Sequence, residues 1–220
     1  MRYCVFQKTE VYTMIIIDDI EQGSAEWHSL RLGKITASRM KEVMSKGRGK
    51  APSKTAETYM MELIAEILTG KPKPFFENDV MRWGTETEPQ ARFMYELRSG
   101  NEVKEVACIT EGNHLLVSPD GLIGDDGMLE IKCPTSITQI KRALTDNYSK
   151  DYYDQIQMQL WIAQREWCDF ESFDPRLNCG ASYLIQRVNR DEEYVAIMAE
   201  KTKAFLEDMN SKLLVIAEMD

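Results

Sequence analysis

Asp120, Glu130 and Lys132 are the residues of this chain whose types and spacing could do chemistry together. They lie in residues 118–134, which read SPDGLIGDDGMLEIKCP. Two carboxylates form a hard-oxygen donor set suited to a divalent cation such as Mg²⁺, which keeps several of its waters. The backbone carbonyl of Ile131, between Glu130 and Lys132, is a further candidate ligand. A cation held there would polarise a phosphoryl oxygen and acidify water. A lysine beside that water can orient it, or take its proton where the site depresses the lysine pKa. The combination points to metal-dependent phosphodiester hydrolysis. The plainer alternative is a surface hairpin on which Glu130 and Lys132 are a solvated pair.

For these three side chains to meet, the chain must fold back between them. Gly124-Asp125-Asp126-Gly127 separates two short apolar runs, Leu122-Ile123 and Met128-Leu129, and its glycines supply the positive φ of a tight hairpin turn. Folding there puts Asp120 opposite residues 131–133, the register depending on which two residues form the turn. Strand alternation puts Glu130 and Lys132 on one face and Ile131 on the other.

Further elements must surround this hairpin. Residues 14–17, 102–110 and 115–117 read as strands, which with the hairpin give a largely antiparallel sheet of three or four strands. A helical crossover over 136–144 and 149–164 leads to two more strands, 167–173 and 181–188, that extend it. Residues 24–30 read as a short helix, and Thr36 can cap another that carries Met40, Val43 and Met44. Ser53 caps a helix to residue 68. A long helix over 78–98 has Trp83, Phe93, Met94 and Leu97 as core candidates, with a kink or restart at Pro89. A last amphipathic helix covers 190–219, with Ile197 and Ile216 among its inward residues. The expected fold class is α/β, a mixed central sheet flanked by helices, in one domain over residues 1–220.

Composition narrows the functional class. The five cysteines are odd in number and dispersed, and only two histidines are present, which argues against a disulfide framework, a zinc site or a histidine shuttle. No apolar run nears the roughly 20 residues of a membrane span, and the run at 14–17 is too short for a signal-peptide core, so a reducing cytoplasm is expected. A net charge of −9 looks wrong for a DNA-binding protein. Its distribution answers this in part. Residues 31–54 hold eight basic residues and one acid, Glu42, so they carry +7 and leave −16 on the remainder. A local basic stripe can hold phosphates on an otherwise acidic protein. Lys46, Arg48 and Lys50 stand in a Gly-rich loop within it, and the helix start at Thr36 offers free N–H groups to an anion.

The arrangement resembles the PD-(D/E)xK nuclease motif, with Pro119-Asp120 followed by Glu130-Ile131-Lys132. Within that superfamily the chain is similar to the lambda exonuclease (YqaJ-type viral recombinase) family. The likeness rests on Trp27 through Ser38 (WHSLRLGKITAS), Trp83-Gly84 with Glu88, Ser118-Pro119-Asp120-Gly121, Leu129 through Pro134, and Gln155-Ile156-Gln157. The blocks run in family order from about residue 22 to the C-terminus.

The resemblance implies a restriction-endonuclease-like core and a Mg²⁺-dependent (Mn²⁺ also possible), processive 5′→3′ exonuclease on double-stranded DNA ends. It would release 5′-mononucleotides and leave a 3′ single strand for recombination. A homotrimeric ring, two metal ions, a single-strand annealing protein as partner, and a phage or prophage origin in a bacterial host are implied with it. Residue by residue, Glu88 matches an active-site carboxylate and Gln155 an active-site glutamine, with Gln157 as second choice. Arg31 and Ser38 match positions that hold the 5′-terminal phosphate, and Met81 matches an apolar wedge between the strands. Two other readings keep parts of this picture: a non-processive PD-(D/E)xK endonuclease, and a catalytically inactive DNA-end-binding scaffold. A Ca²⁺ module at Asp125-Asp126 lacks the spaced oxygen ligands of an EF-hand loop.

Overall fold

The computed structural model describes residues 13–47, 53–74 and 76–219. Arg48 and Lys50 of the basic loop therefore lie outside the described residues. The described chain builds two four-stranded sheets with helices packed on them. In the first, β1 (Met14–Ile17), β3 (Cys108–Glu111), β4 (Leu115–Val117) and β2 (Ile35–Thr36) stand in the order β1-β3-β4-β2. Here β2 runs parallel to β4 and the other pairs are antiparallel. In the second, β5 (Gly121–Ile123), β6 (Gly127–Lys132), β7 (Trp167–Phe173) and β8 (Tyr183–Asn189) stand in sequence order, with β6 and β7 parallel.

The expected single sheet is thus two mixed sheets. The chain passes from one to the other between β4 and β5, at Ser118-Pro119-Asp120, where Pro-Asp-Gly marks a turn but does not say that the sheet changes there. A lone bridge from Lys104 to Leu122 ties the segment before β3 to the hairpin.

The parallel β6–β7 pair requires a crossover. It is made by α5 (Ser136–Ala143) and α6 (Tyr153–Ile162). The face of β6–β7 that carries Met128 and Phe170 joins Ile156, Met158 and Leu160 of α6 and Met198 and Phe205 of α7 (Glu192–Ala217) in one core. Met40 and Val43 of α2 (Met40–Met44) and Tyr59, Met60 and Leu63 of α3 (Lys54–Thr69) complete it. The opposite face, with Leu129, Ile131 and Phe173, packs against Ala91 and Tyr95 of α4 (Asp79–Ser99).

Several expectations need correction. In α4 the buried residues Thr87, Ala91 and Tyr95 recur at four-residue spacing. Phe93 and Leu97 fall on the outer side and are largely exposed, as is Ile197 of α7, while Ile216 is partly exposed. The helix runs unbroken past Pro89. Thr36 is buried and makes no side-chain cap bond; its N–H donates to the Tyr59 hydroxyl at 3.1 Å. A 3-10 turn over Ala37–Arg39 follows it, and α2 begins only at Met40, so the expected anion-binding helix start at Thr36 does not form.

Candidate active site

The β5–β6 hairpin uses a three-residue loop, with Ile123 paired to Gly127 and Gly124 at φ +51. Gly121 therefore pairs with Leu129, and Asp120 comes beside Glu130, one step from the expected register. The Asp120 N–H donates to the Leu129 carbonyl at 3.2 Å, and its Oδ2 accepts the Ile131 N–H at 2.6 Å. Two backbone bonds on either side of Glu130 thus fix the aspartate. As alternation demands, Glu130 and Lys132 share one face of β6, while the Ile131 side chain packs in the core on the other.

Glu130 is 1% exposed, a buried carboxylate that needs partners. Lys132 Nζ pairs with its Oε1, Gln155 Nε2 donates to the same oxygen at 2.5 Å, and Gln159 Nε2 donates to Oε2 at 2.8 Å. The two glutamines are four residues apart on α6 and so point the same way. Gln159 is itself buried and reaches toward the Ser118 carbonyl at 3.5 Å. Sequence reasoning places it on the Gln155 face but gives it no task; the task needs the third dimension. Gln157 points elsewhere, bonding the Asn189 carbonyl and the Asp191 N–H, both at 2.9 Å, and so pins the start of α7.

Glu88 reaches this group from α4, paired through Oε1 with Arg92 at 2.6 Å. A cavity of about 510 Å³ is lined by both Glu88 and Asp120, together with Gln22, Trp27 and Arg92. Trp27, on α1 (Ala25–Arg31), donates its indole N–H to the Ala107 carbonyl at 3.0 Å and to Ser118 at 3.2 Å, so it braces the strand leading into Asp120.

The electrostatics fit a hard divalent cation. Burial first, then the Glu130 carboxylate, push the Asp120 carboxyl well above its ordinary range, against the opposing pull of Lys132. Burial also raises Glu88, with Arg92 and Lys132 opposing and Glu130 adding. Two carboxyls raised by burial and by the neighbouring Glu130 carboxylate, with all three groups hard oxygen donors, suit Mg²⁺. Among the described residues no three acidic, histidine or cysteine side chains stand at ligating separation. In this conformation Glu130 is held by Lys132 and the glutamines and Glu88 by Arg92. A carboxylate has about four lone-pair positions, so Glu130, with three donors, has room for one more ligand. At Lys132 burial disfavours the charge, but Glu130 and Asp120 outweigh it and hold the amine above its ordinary value. Its ring neighbour is Tyr152, 5.2 Å from Nζ.

A second cavity, of about 470 Å³, opens on the adjoining surface. Arg31, Lys34, Thr36 and Met81 all line it. The Arg31 guanidinium lies 4.1 Å over the Trp27 ring, and burial lowers its pKa. Lys34 Nζ donates to the Leu30 carbonyl at 2.7 Å. Among the described residues neither cation makes an ion pair, whereas Arg39, in the same wall, is tied to Glu42 and Glu62. Lys34 is the cavity's second unneutralised cation, and the sequence reading gives it no role. Met81 is 45% exposed at the rim, in the first turn of α4. Ser38 is exposed and stands outside this lining, and Lys46 is exposed beyond α2.

The profile of the YqaJ-like viral recombinase domain matches residues 26–166. The crystal structure of an alkaline exonuclease from Laribacter hongkongensis superposes with a TM-score of 0.80 at 37% identity, over 88% of this chain and 96% of that one. The same enzyme in complex with dAMP gives 0.79 at 38% identity, over the same shares of the two chains. A phage-related exonuclease from Haemophilus somnus 129PT shares the fold at a TM-score of 0.68 and 18% identity, over 85% of this chain and 96% of that one. An uncharacterized protein of Acanthamoeba polyphaga mimivirus is 26% identical over 174 residues, which are 70% of this chain and 29% of the viral protein. The chain thus spans less than a third of that curated relative's length. A profile match over well over half the chain, joined to this exonuclease-type fold, makes the protein a member of the YqaJ-like viral recombinase domain family.

Proposed function

We propose that the protein is a metal-dependent exodeoxyribonuclease that degrades one strand of duplex DNA from a 5′ end, processively, and releases 5′-mononucleotides. The observation that carries this reading is the meeting of Asp120, Glu130 and Lys132 beside Glu88, next to a cavity that keeps Arg31 and Lys34 unpaired. The exonuclease fold of the relatives and the dAMP held by one of them support it.

Asp120, Glu130, Glu88 and the Ile131 carbonyl would hold Mg²⁺, or Mn²⁺, as one or two ions. Bound there, the metal supplies Lewis-acid polarisation of the scissile phosphate and acidifies water. Lys132, kept charged by its carboxylate neighbours, orients the nucleophile and offsets charge on the phosphoryl oxygens; its raised pKa disfavours a role as general base. Gln155 and Gln159 fix the Glu130 carboxylate without adding charge. Arg31, with Lys34, takes the 5′-terminal phosphate; Ser38, exposed outside that lining, would meet the DNA end beyond the cavity. Met81 parts the strands, and the basic residues Lys46, Arg48 and Lys50 would contact DNA phosphates, whereas Thr36 is buried and does not. A homotrimeric ring would retain the DNA, and a single-strand annealing protein would take up the 3′ strand.

The test is digestion of linear duplex carrying a 5′-phosphate at one end only, beside a closed circle, with and without Mg²⁺. We expect Mg²⁺-dependent loss from the phosphorylated end and an intact circle. Cutting of the circle would replace the exonuclease by an endonuclease. Absence of cleavage with any divalent ion would leave a DNA-end-binding scaffold.

A further inference from the structure

A third cavity, of about 390 Å³, lies away from the residues considered so far, between the β3–β4 turn, the C-terminal part of α6 and α7. β4 runs from Leu115 toward Ser118 and Asp120, so this turn is the end of the hairpin farther from the carboxylates. Leu115 and Leu206 give the cavity apolar wall, Trp161 gives it an indole, and Glu111 and Thr202 give it polar groups.

Among the described residues, two of those polar groups have no hydrogen-bond partner. Thr202 is 2% exposed, and its hydroxyl is buried without a hydrogen-bond partner. Oε2 of Glu111 is likewise buried and unpartnered. Burial also lifts the Glu111 carboxyl above its ordinary value. Buried polar atoms are bonded in the great majority of cases, so each one left without a partner is costly. A carboxylate acceptor and a hydroxyl that can accept or donate, from separate elements and opening into one cavity beside an aromatic wall, describe a site that can take N–H donors.

The chemistry of the donor follows from the wall. A carboxylate at Glu111, with Glu207 at the rim, repels phosphate and favours a cation; Lys203 opposes one of the two charges, and His114 stands in the same lining. An ammonium presents its protons around one point. A guanidinium is planar, presents donors along separate edges and stacks on an indole. We propose that this cavity binds a guanidinium group on an aliphatic stem, with Glu111 and Thr202 accepting its N–H groups and Trp161 stacking on its plane. The group can belong to a free small guanidine or to an arginine of a protein segment; the site chemistry is the same. The inference does not depend on the nuclease reading.

The full chain is titrated by saturation-transfer NMR with agmatine, N-acetyl-arginine amide, N-acetyl-lysine amide and dCMP. We expect saturable binding of a guanidinium compound, with the lysine amide at least about fivefold weaker. Glu111→Gln should weaken binding about tenfold or more, the scale of one charged hydrogen bond. Thr202→Val, which keeps the side-chain shape, should weaken it about threefold and stands as the second variant if Glu111→Gln lowers the melting temperature. DNA cleavage should be unchanged in both. Agmatine alone binding identifies a free ligand; the arginine amide binding as tightly identifies a protein arginine. No saturable guanidinium binding, binding untouched by both variants, or dCMP binding that disappears in Glu111→Gln overturns the proposal.

Discussion

Glu130 concentrates the residue-scale question, because a fully buried carboxylate survives only with its donors in place. Lys132 brings charge and the two glutamines bring neutral N–H groups. The donors should therefore separate on mutation. Lys132→Ala should abolish cleavage, measured as nucleotide release, and leave DNA binding largely intact, since the phosphate cavity is lined by other residues; full activity in that variant would remove Lys132 from the mechanism. Gln159→Leu should retain the charge and lose one donor, reducing turnover by about 10- to 100-fold, the kinetic equivalent of 1–3 kcal/mol. Unchanged turnover would show that Glu130 is held well enough without it. A second buried acid behaves differently. Glu171 of β7 is fully buried, with neither carboxylate oxygen hydrogen-bonded among the described residues, and burial, with Asp120 adding and Arg92 and Arg98 opposing, pushes its pKa up to about 8. Its unfolded pKa is near 4.3. Between about pH 4.3 and about 8 the unfolded chain has released this proton and the folded chain keeps it, so rising pH favours unfolding. Above the folded value both states are ionised and the penalty is constant. Glu171→Gln removes the titration. In thermal melts without divalent cation, wild type should lose stability relative to the variant as pH climbs through that window, by at most about 1.4 kcal/mol per pH unit. A pH-independent difference would mean that Glu171 is ionised in the fold.

At the scale of elements, the hairpin that carries Asp120 is positioned by close backbone approach. A Cβ on Gly121 would meet Val103 Cγ1 at 2.1 Å. Gly121→Ala should cost about 1–3 kcal/mol in urea unfolding, the range of overpacking, and Val103→Ala in the same chain should recover part of it. No loss in the single variant would show that the 103–121 contact yields freely. The same elements show which structure the sequence makes legible. Period-two alternation is local, so Glu130 and Lys132 fall on one face and Ile131 on the other as the sequence predicts. Register is not local: a loop of three residues instead of two moves Asp120 by one place. The division into two sheets is hidden because Ser118-Pro119-Asp120-Gly121 signals a turn without saying that the strands on either side of it belong to different sheets. Phe93 and Leu97 mislead because α4 carries apolar residues on two sides, and periodicity alone does not say which side meets β6. Glu171 is invisible for the converse reason. A charged residue inside a strand reads as a solvent-facing position, whereas α4 covers that face.

For the whole molecule, charge and topology should leave different marks on the reaction. The chain is acidic at −9, yet residues 31–54 carry +7, and Arg31 and Lys34 of that segment line the cavity of about 470 Å³ without ion pairs among the described residues. First contact with a DNA end must then rest on a few phosphate contacts, each releasing a counterion, and should weaken steeply with salt. Net negative charge elsewhere adds long-range repulsion that salt screens, but over a Debye length of only about 10 Å at 0.1 M the local cations dominate contact. Retention after the first cut has another origin if three copies close a ring around the duplex, because leaving then requires opening the ring rather than breaking ion pairs. Raising salt from about 50 to about 200 mM should therefore cut the initiation rate by tenfold or more. The number of nucleotides released per encounter, measured with excess unlabelled DNA as a trap, should stay nearly constant. Light scattering of the free protein should give three times the 25.4 kDa chain mass. If burst length falls in step with initiation, retention is electrostatic and the ring is not what holds the DNA. If burst length holds while the mass is that of a single chain, retention lies within one copy, in the two cavities on either side of Trp27.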